Sequence, residues 1–290
     1  MKKRILVLIN PKSGTGKQNK AINALYKTID FQLFETEIIY SQFKGHMSVL
    51  AKNAAENNYD AVVVVGGDGS INEAAQGLIG TKTALGIIPI GSGNGLARHL
   101  KIPLQIKSAI EKINAFKTEQ IDTARINNHQ FVSLAGIGFD AHIAKQFDIS
   151  GKRGLWNYTK ISVREFFRFS SQKYYLSIDE IDYEEEAFMV VFANANQFGN
   201  NFVISPQGKI NDGLIDVCIV RKPKIYQVPD LFLKLFLKRI HHADLIKIVR
   251  AKNINVRLKH SNLINLDGES VVIDGDLTLA INPLSLHIIC

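Results

Sequence analysis

The sequence predicts two domains of different class: an N-terminal α/β domain with a doubly wound parallel sheet, and a C-terminal all-β domain built as an antiparallel β-sandwich. From Arg4 to Pro89, buried strands alternate with helical segments, which is typical of a parallel sheet covered by helices on both faces. From Ile121 onward, long strands separated by turn signals dominate. We therefore expect domains over residues 1–125 and 126–280, with residues 281–290 returning to the first.

Each element of the N-terminal domain follows from hydrophobic spacing. Strands are expected over Arg4–Ile9, Phe34–Tyr40, Ala61–Val65 and Leu85–Pro89. Helices are expected over Ala21–Ile29, Met47–Asn57 and Ile71–Ile79. In the C-terminal domain, helical insertions are expected at Leu155–Phe169 and Tyr226–Arg239.

Composition narrows the class of protein and its partners. The 290 residues are 46% apolar and 21% charged, which is ordinary for a protein with a buried core. Lysine and arginine exceed aspartate and glutamate by 35 − 27 = 8, which favours an anionic partner: phosphates, nucleic acid or an acidic membrane surface. The cysteines, Cys218 and Cys290, match no metal or redox spacing and suit a reducing cytoplasm. The apolar run Ile5–Ile9 is too short for a signal peptide, and no apolar stretch is long enough to span a membrane.

A glycine-rich turn follows the third strand. Gly66, Gly67 and Gly69 permit positive φ and close approach of a ligand to the backbone, and the next helix, expected to begin around Ser70–Glu73, points free N–H groups at that ligand. This is phosphate-binding chemistry. Asp68 would repel a phosphate unless a magnesium ion lies between them. The alternative is a tight strand-to-helix turn in which Asp68 caps the helix.

Other loops of the same kind are expected at the same edge of the sheet. They are Asn10–Gly14, Lys44–Gly45 and Ser92–Asn94. Because ligands bind beyond the carboxyl ends of parallel strands, these turns strengthen the phosphate interpretation. The Walker sequence GxxxxGK[ST] is absent.

Six segments resemble one known family, in order, over essentially the whole chain. They are NPKSG, GGDGSINEAAQGL, LGIIPIGSGNGLARHLKIP, SLAGIGFDA, NDGLIDV and LDGES. The chain resembles the diacylglycerol kinase catalytic-domain family, bacterial lipid kinases related to sphingosine kinases. NAD kinases and phosphofructokinases share GGDG but not the later segments. The resemblance implies an NAD kinase-like fold and magnesium-dependent phosphoryl transfer from ATP to a lipid hydroxyl, in a cleft between the domains.

The resemblance also implies roles for particular residues. The nucleotide contacts are Asn10, Pro11, Lys12, Ser13, Gly14, Ser41, Gly66, Gly67, Asp68, Gly69, Ser70, Ile71, Asn72 and Ser92. Asp68 is also expected to act in catalysis. The general base is Asp267, with Glu269 nearby, which would take the proton of the lipid hydroxyl. By itself, LDGES favours a hairpin turn, and a turn that presents its carboxylate to the cleft would satisfy both interpretations.

Two magnesium sites are implied. Asp68 and Asp122 belong to a network around the catalytic ion, although Gly95 stands where many bacterial members have a further aspartate. Asp212, with backbone carbonyls near Lys209 and Leu214, corresponds to a structural site. A simple turn is the alternative at Asp212.

Two segments combine apolar and basic residues. One is Tyr226–Arg250, with Leu231, Phe232, Leu235 and Phe236 beside Lys234, Lys238, Arg239, His241 and His242. The other has Leu155, Trp156, Phe166 and Phe167 beside Lys152 and Arg153. Both suit contact with an anionic membrane, and both suit an apolar stripe packed on the sandwich with a solvated basic face.

The expected function is therefore an ATP-dependent lipid kinase that is cytoplasmic and meets the membrane surface during turnover. Nucleic acid is not an expected partner, and a homodimer is compatible with the sequence. Diacylglycerol, a sphingoid base, an undecaprenol-like alcohol and phosphatidylglycerol all present a primary hydroxyl. Two alternatives stay open: a soluble-substrate enzyme like NAD kinase, and a non-catalytic nucleotide or lipid sensor on the same fold.

Overall fold

The computed structural model describes residues 1–11, 13, 16–151, 155–240, 245–258 and 262–290, with the backbone only at Leu155, Phe232 and Asn262. Six residues expected to bind nucleotide or lipid therefore lie outside the described residues: Lys12, Gly14, Lys152, Arg153, His241 and His242. The chain divides into two compact units, Met1–Asp122 with Pro283–Cys290, and Thr123–Asn282.

The first unit is a doubly wound α/β fold. Its elements are β1 (Lys3–Ile9), α1 (Gln18–Thr28), β2 (Phe34–Tyr40), α2 (His46–Glu56), β3 (Ala61–Gly66), α3 (Asp68–Leu78), β4 (Ala84–Pro89), α4 (Gly95–His99), α5 (Ile106–Ala115) and the start of β5 (Thr118–Ile126). The strands run parallel in the order β2-β1-β3-β4. β1 therefore lies between β2 and β3, and the direction of winding reverses there.

Burial explains why these strands read as continuous apolar runs. Every residue of β3 and β4 is buried, because α1 and α5 cover one face of the sheet and α2 and α3 the other. The two helices α2 and α3 pack closely at Gly77, where a Cβ atom would lie 2.3 Å from the carbonyl oxygen of Ser48. Only glycine allows that approach.

The second unit is an antiparallel sandwich. Its elements are the end of β5, β6 (His129–Phe131), β7 (Leu134–Gly138), α6 (Phe139–Ser150), α7 (Leu155–Arg168), β8 (Gln172–Ile178), β9 (Ile181–Ala187), β10 (Met189–Ala193), β11 (Ile215–Val220), a 3₁₀ turn (Ile225–Gln227), α8 (Val228–Phe236), β12 (Ile246–Ala251), β13 (Asn253–Arg257), β14 (Asn262–Leu266), β15 (Glu269–Ile273) and most of β16 (Leu277–Ile289).

Two sheets enclose the core of this unit. One has the strand order β12-β11-β10-β7-β14-β15, and the other contains the first part of β16 with β13, β8 and β9. Buried side chains from both sheets form one cluster, in which Ile137 and Phe192 of the first sheet join Leu176 and Leu279 of the second. The predicted fold classes, parallel α/β and antiparallel β, are both confirmed.

Several elements differ from the sequence prediction. Helix α6 was not expected, because the strand β7 runs directly into it through Gly138, whose φ of +82° makes the change of direction. A Cβ atom at Gly138 would lie 2.7 Å from the Phe188 carbonyl oxygen, so glycine is required there. Helix α5 was also not expected. The expected helix Tyr226–Arg239 is divided, with a 3₁₀ turn before a shorter α8 that has Pro229 in its first turn.

Candidate active site

The ends of β1, β2 and β3 are joined by hydrogen bonds between expected site residues. The Ser41 N–H donates to the Ile9 carbonyl at 2.9 Å, and the Asn10 side-chain amide donates to the Ser70 hydroxyl at 2.9 Å. Ser13 donates from both its N–H and its hydroxyl to the Asn10 carbonyl, which closes the first loop. The structure thus brings Asn10, Ser13 and Ser70 together at the carboxyl edge of the sheet, with Ser41 beside the end of β1.

Two glycines of the turn that ends β3, Gly66 and Gly67, are required for space, whereas a Cβ atom on Gly69 would meet nothing within 4 Å, and the positive φ that glycine permits is not used. None of Gly66, Gly67 and Gly69 has a positive φ, and Gly67 is extended at φ −101° and ψ −174°. A Cβ atom on Gly91, in the loop after β4, would lie 2.6 Å from the Cα of Gly67. The two loops therefore cross backbone against backbone.

Asp68 opens helix α3 and binds the start of the next helix. The expected helix start near Ser70–Glu73 is too late, because α3 begins at Asp68 itself. The Asp68 carboxylate accepts the N–H groups of Asn94 at 2.7 Å and Gly95 at 2.6 Å, which precede and open α4. The carboxylate thus caps α4, whereas the capping alternative concerned its own helix.

The electrostatics of Asp68 combine burial with donated hydrogen bonds. Burial raises the pKa of the Asp68 carboxyl above its ordinary value, and backbone N–H groups, that of Gly95 first, oppose the rise. Gly95 therefore contributes a backbone donor where an aspartate was expected in the family. Of the remaining residues expected to contact nucleotide, Ile71 and Asn72 are buried in α3, and Pro11 and Ser92 are exposed.

Asp122 is fully buried and holds the returning chain. Its carboxylate accepts the N–H of Leu284 at 2.7 Å, where the backbone is left-handed with φ +46°. Within the described residues, no three or more His, Cys, Asp and Glu side chains are grouped so that they could hold a metal ion. A magnesium ion near Asp68 would therefore depend mainly on phosphate and water oxygens, as magnesium at nucleotide sites commonly does.

The LDGES segment forms the predicted hairpin. Asp267 and Gly268 connect β14 to β15 with φ values of +50° and +93°, which is the type I′ pattern favoured by Asp-Gly. The Asp267 carboxylate accepts three consecutive backbone N–H groups, from Val132 at 2.7 Å, Ser133 at 2.8 Å and Leu134 at 2.9 Å. These bonds make Asp267 the anchor of the segment that leads into β7. Glu269 is half-buried at the start of β15.

A buried carboxyl behind this turn was missed by the sequence analysis. Asp140, in the first turn of α6, accepts the side-chain amide of Asn265 at 2.8 Å, and the Asn265 side-chain oxygen accepts the N–H of Gly268 at 2.9 Å. Burial raises the pKa of Asp140 to about 6, and the Asn265 bond opposes the rise. The only signal was GFDA within a motif that had suggested the family without suggesting a role.

The expected structural metal site contains an arginine. The Asp212 carboxylate accepts the N–H of Leu214 at 3.2 Å, and its other oxygen lies 4.0 Å from the guanidinium of Arg250. Lys209 is exposed. Sequence spacing could not reveal Arg250 here, because it lies on the neighbouring strand β12.

Comparison with known proteins identifies the class first. Residues 4–126 match the family profile described as diacylglycerol kinase catalytic domain, and residues 133–290 match the YegS C-terminal NAD kinase beta sandwich-like domain. A crystal structure of a diacylglycerol kinase from Bacillus anthracis str. Sterne superposes with a TM-score of 0.77 at 22% identity, over 99% of this chain and 96% of that one, which shows the shared fold.

Curated relatives give the same family. The diacylglycerol kinase of Bacillus subtilis strain 168 is 26% identical over 92% of this chain and 90% of its own length. That of Staphylococcus epidermidis strain RP62A is 25% identical over 93% of this chain and 86% of its own length. The chain belongs to the diacylglycerol kinase catalytic-domain family and is a lipid kinase.

Proposed function

We propose that the protein transfers the γ-phosphoryl group of ATP to the free hydroxyl of diacylglycerol. The observation that carries this proposal is the carboxyl edge of the parallel sheet, where Asn10, Ser70 and the crossed loops at Gly67 and Gly91 form a cradle of backbone and small hydroxyl groups. The N-terminus of α3 supplies N–H groups and positive dipole for phosphate oxygens. Diacylglycerol is chosen because curated relatives spanning most of the chain are diacylglycerol kinases.

Asp68 is proposed to orient the water shell of magnesium. When bound, magnesium would neutralise charge on the phosphates of ATP. The N–H groups of Asn94 and Gly95 fix the orientation of its carboxylate, whose oxygens would accept hydrogen bonds from water molecules bound to the ion. Asp122 is proposed as the second carboxylate of this network, as its motif implies.

Asp267 is proposed as the general base that takes the proton of the lipid hydroxyl as its oxygen attacks the γ-phosphorus. Three N–H bonds hold the carboxylate in a fixed orientation, which suits alignment of the acceptor hydroxyl. Glu269, two residues further along β15, is the second candidate. That the Asp267 turn lies next to the bound nucleotide stays a prediction.

The test is phosphorylation by radiolabelled ATP in mixed micelles that each contain one acceptor. Diacylglycerol should accept label, with magnesium required, and NAD should not. A sphingoid base, an undecaprenol-like alcohol and phosphatidylglycerol form the remaining arms. Label on one of these in place of diacylglycerol would correct the substrate, whereas label on NAD alone would overturn the lipid kinase assignment in favour of a soluble substrate.

Contact with anionic lipid is proposed for the exposed face of α7. Trp156, Val163 and Phe167 are 84%, 58% and 65% exposed, and they recur at helical spacing with Lys160 between them. Apolar side chains interleaved with cations are typical of helices that rest on anionic membranes. Among the described residues, no helix is both long and apolar enough to cross a membrane.

In the other basic segment, Tyr226–Arg250, the cations are less available for contact with anionic lipid than the sequence suggests. Lys234, Lys247 and Arg250 form ion pairs with Asp230, Glu185 and Asp216. Leu233 and Phe236 of α8 are nevertheless exposed. We therefore assign the main contact to α7 and a smaller one to α8.

Vesicle sedimentation checks the α7 assignment. Replacing Trp156 and Phe167 by Ala should weaken binding to phosphatidylglycerol-containing vesicles on the order of tenfold, because two large apolar side chains no longer enter the bilayer. Tyr26→Ala, at a comparably exposed aromatic of the first unit, is the control and should bind normally. Equal binding by all three proteins, or no preference for anionic over neutral vesicles at any salt, would reject the assignment.

A further inference from the structure

One cluster in the second unit is built around a cation supplied by the chain itself. We call it the Arg250 cluster; its members are Ser205, Gln207, Asp212, Asp216 and Arg250. Asp216 and Arg250 are direct cross-strand neighbours in β11 and β12, and the guanidinium Nε lies 3.1 Å from Asp216 Oδ1. The Ser205 hydroxyl donates to the other oxygen of Asp216, and Arg250 Nη2 donates to the Gln207 carbonyl.

Among the described residues, the polar partners of the guanidinium are hard oxygen acceptors. The set comprises the carboxylates of Asp212 and Asp216 and the Gln207 carbonyl, at the segment where the family resemblance implies a magnesium ion. Magnesium takes oxygen ligands of this kind at about 2.0–2.1 Å in octahedral geometry. The arginine therefore binds the same oxygen acceptors that a structural metal ion would coordinate.

The residues present do not fit a magnesium ion beside this arginine. Of the two carboxylates in the cluster, Asp212 is the one that the resemblance assigns to the ion; one of its oxygens accepts the Leu214 N–H, and the other lies 4.0 Å from the guanidinium. A divalent ion at Asp212 would be repelled by the positive charge of the Arg250 guanidinium and would have to displace that group. Asp216 is 3% exposed and already has two partners, so it has little freedom to turn toward an ion.

We propose that Arg250 replaces the structural divalent cation in this protein, so that the second unit needs no metal ion to fold or to hold Asp212 in place. The guanidinium supplies a covalently attached positive charge and a planar set of donors, which suits carboxylate and carbonyl acceptors. If the proposed function holds, the magnesium requirement of turnover is then that of the nucleotide site alone.

Thermal unfolding of the full-length protein without nucleotide or lipid tests this directly. The wild-type midpoint should be the same in EDTA and in millimolar magnesium chloride. If a metal site were present, magnesium at a hundred times the Kd of that site would instead raise the unfolding midpoint by roughly 5 °C. A saturable rise of that size in the wild type that disappears in Asp212→Asn would overturn the proposal. Because no substrate is present, this outcome leaves the kinase proposal untouched.

A matched pair of arginine variants tests the role of the charge. Arg250→Met keeps much of the side-chain length and removes the cation, whereas Arg221→Met removes an exposed arginine whose nearest ion-pair oxygen, on Glu185, is 3.9 Å away. Arg250→Met should lower the midpoint by several degrees more than Arg221→Met, since it leaves Asp216 buried without its counter-charge. Equal midpoints for the two variants would contradict the proposal. Should Arg250→Met fail to fold, the wild-type magnesium titration decides the question without it.

Discussion

The same dipeptide, Asp-Gly, occurs at both proposed functional turns and is folded differently in each. Asp68-Gly69 begins helix α3 with neither residue at positive φ, whereas Asp267-Gly268 forms a type I′ hairpin with both residues left-handed. Each aspartate binds backbone N–H groups of another segment, two for Asp68 and three for Asp267. The flanking strands and helices therefore decide the backbone conformation of Asp-Gly, whereas in both turns the carboxylate anchors a neighbouring loop.

Replacing either aspartate by Asn should have the largest effect on turnover. Asp68→Asn and Asp267→Asn should each reduce turnover by on the order of 10²–10⁴, the usual range for loss of an acid–base or magnesium-orienting group. Asp68→Asn should also weaken binding of magnesium-ATP, whereas Asp267→Asn should leave it nearly unchanged. Nucleotide dissociation constants and lipid-dependent turnover measured on both variants separate the two roles.

The structure adds a condition to that experiment. In either variant the new amide NH₂ faces a backbone N–H, so about 1–3 kcal/mol of unfolding free energy should be lost with the hydrogen bond. Assays therefore belong well below the unfolding midpoint, with Asp182→Asn, on the exposed strand β9, as control. Near-normal turnover of folded Asp267→Asn would remove it as the base, and loss of turnover in Glu269→Gln would then identify Glu269.

A smaller effect is expected at Asp140, which supports only the second of the two turns. Its pKa is raised from 3.8 to about 6 in the folded state, so the folded protein binds a proton more tightly than the unfolded chain between those values. Unfolding free energy should therefore fall as pH rises from about 4 to about 6, by up to about 3 kcal/mol for a shift of two pKa units.

Asp140→Asn checks this pH dependence. The amide oxygen of the new Asn can still accept the hydrogen bond from Asn265. The unfolding free energy of the variant should therefore not fall between pH 4 and 6, and at pH 7 it should exceed that of the wild type. Chemical denaturation at pH 4, 5, 6 and 7 measures both, with Asp182→Asn as control. If the variant keeps the wild-type slope between pH 4 and 6, the group that titrates there is not Asp140.

The smallest effect concerns the crossing of the loops around Asp68. Gly91→Ala should destabilise the protein by about 2 kcal/mol, because its Cβ would meet the Gly67 backbone at 2.6 Å. Gly69→Ala is the control, since no atom lies within 4 Å of its added Cβ. Unfolding midpoints in denaturant compare the two. Equal losses would mean that backbone flexibility, not space, explains the glycines of this region.

The local pattern of apolar and polar residues predicted much of the fold. The strand Phe34–Tyr40 was predicted with the bounds that the structure has, because its alternating residues lie on an edge strand with one solvated face. The continuous apolar strands were also found, since helices bury both of their faces. Helix α6 was missed because Gly138 leaves no loop between strand and helix, and nothing local marks such a junction.

The site was less predictable because its contacts join residues far apart in the chain. Motifs located Asp68 and Asp267, but their partners, Gly95 for one and Val132 to Leu134 for the other, lie 26 or more positions away. Arg250 and Asn265 have no motif of their own. Their roles depend on strand register and on the packing of α6, which single-sequence patterns do not specify.

The return of β16 has a consequence for synthesis on the ribosome. Ile288 pairs with Leu85 of β4, the Gly80 N–H donates to the Ser285 carbonyl, and the Cys290 N–H donates to the Lys117 carbonyl. Residues 283–290 leave the ribosome only after the whole of Thr123–Asn282, so the nascent first unit waits with the edge of β4 unpaired. The first unit, although it is translated first, therefore cannot complete its sheet until the whole sequence of the second unit has been synthesised.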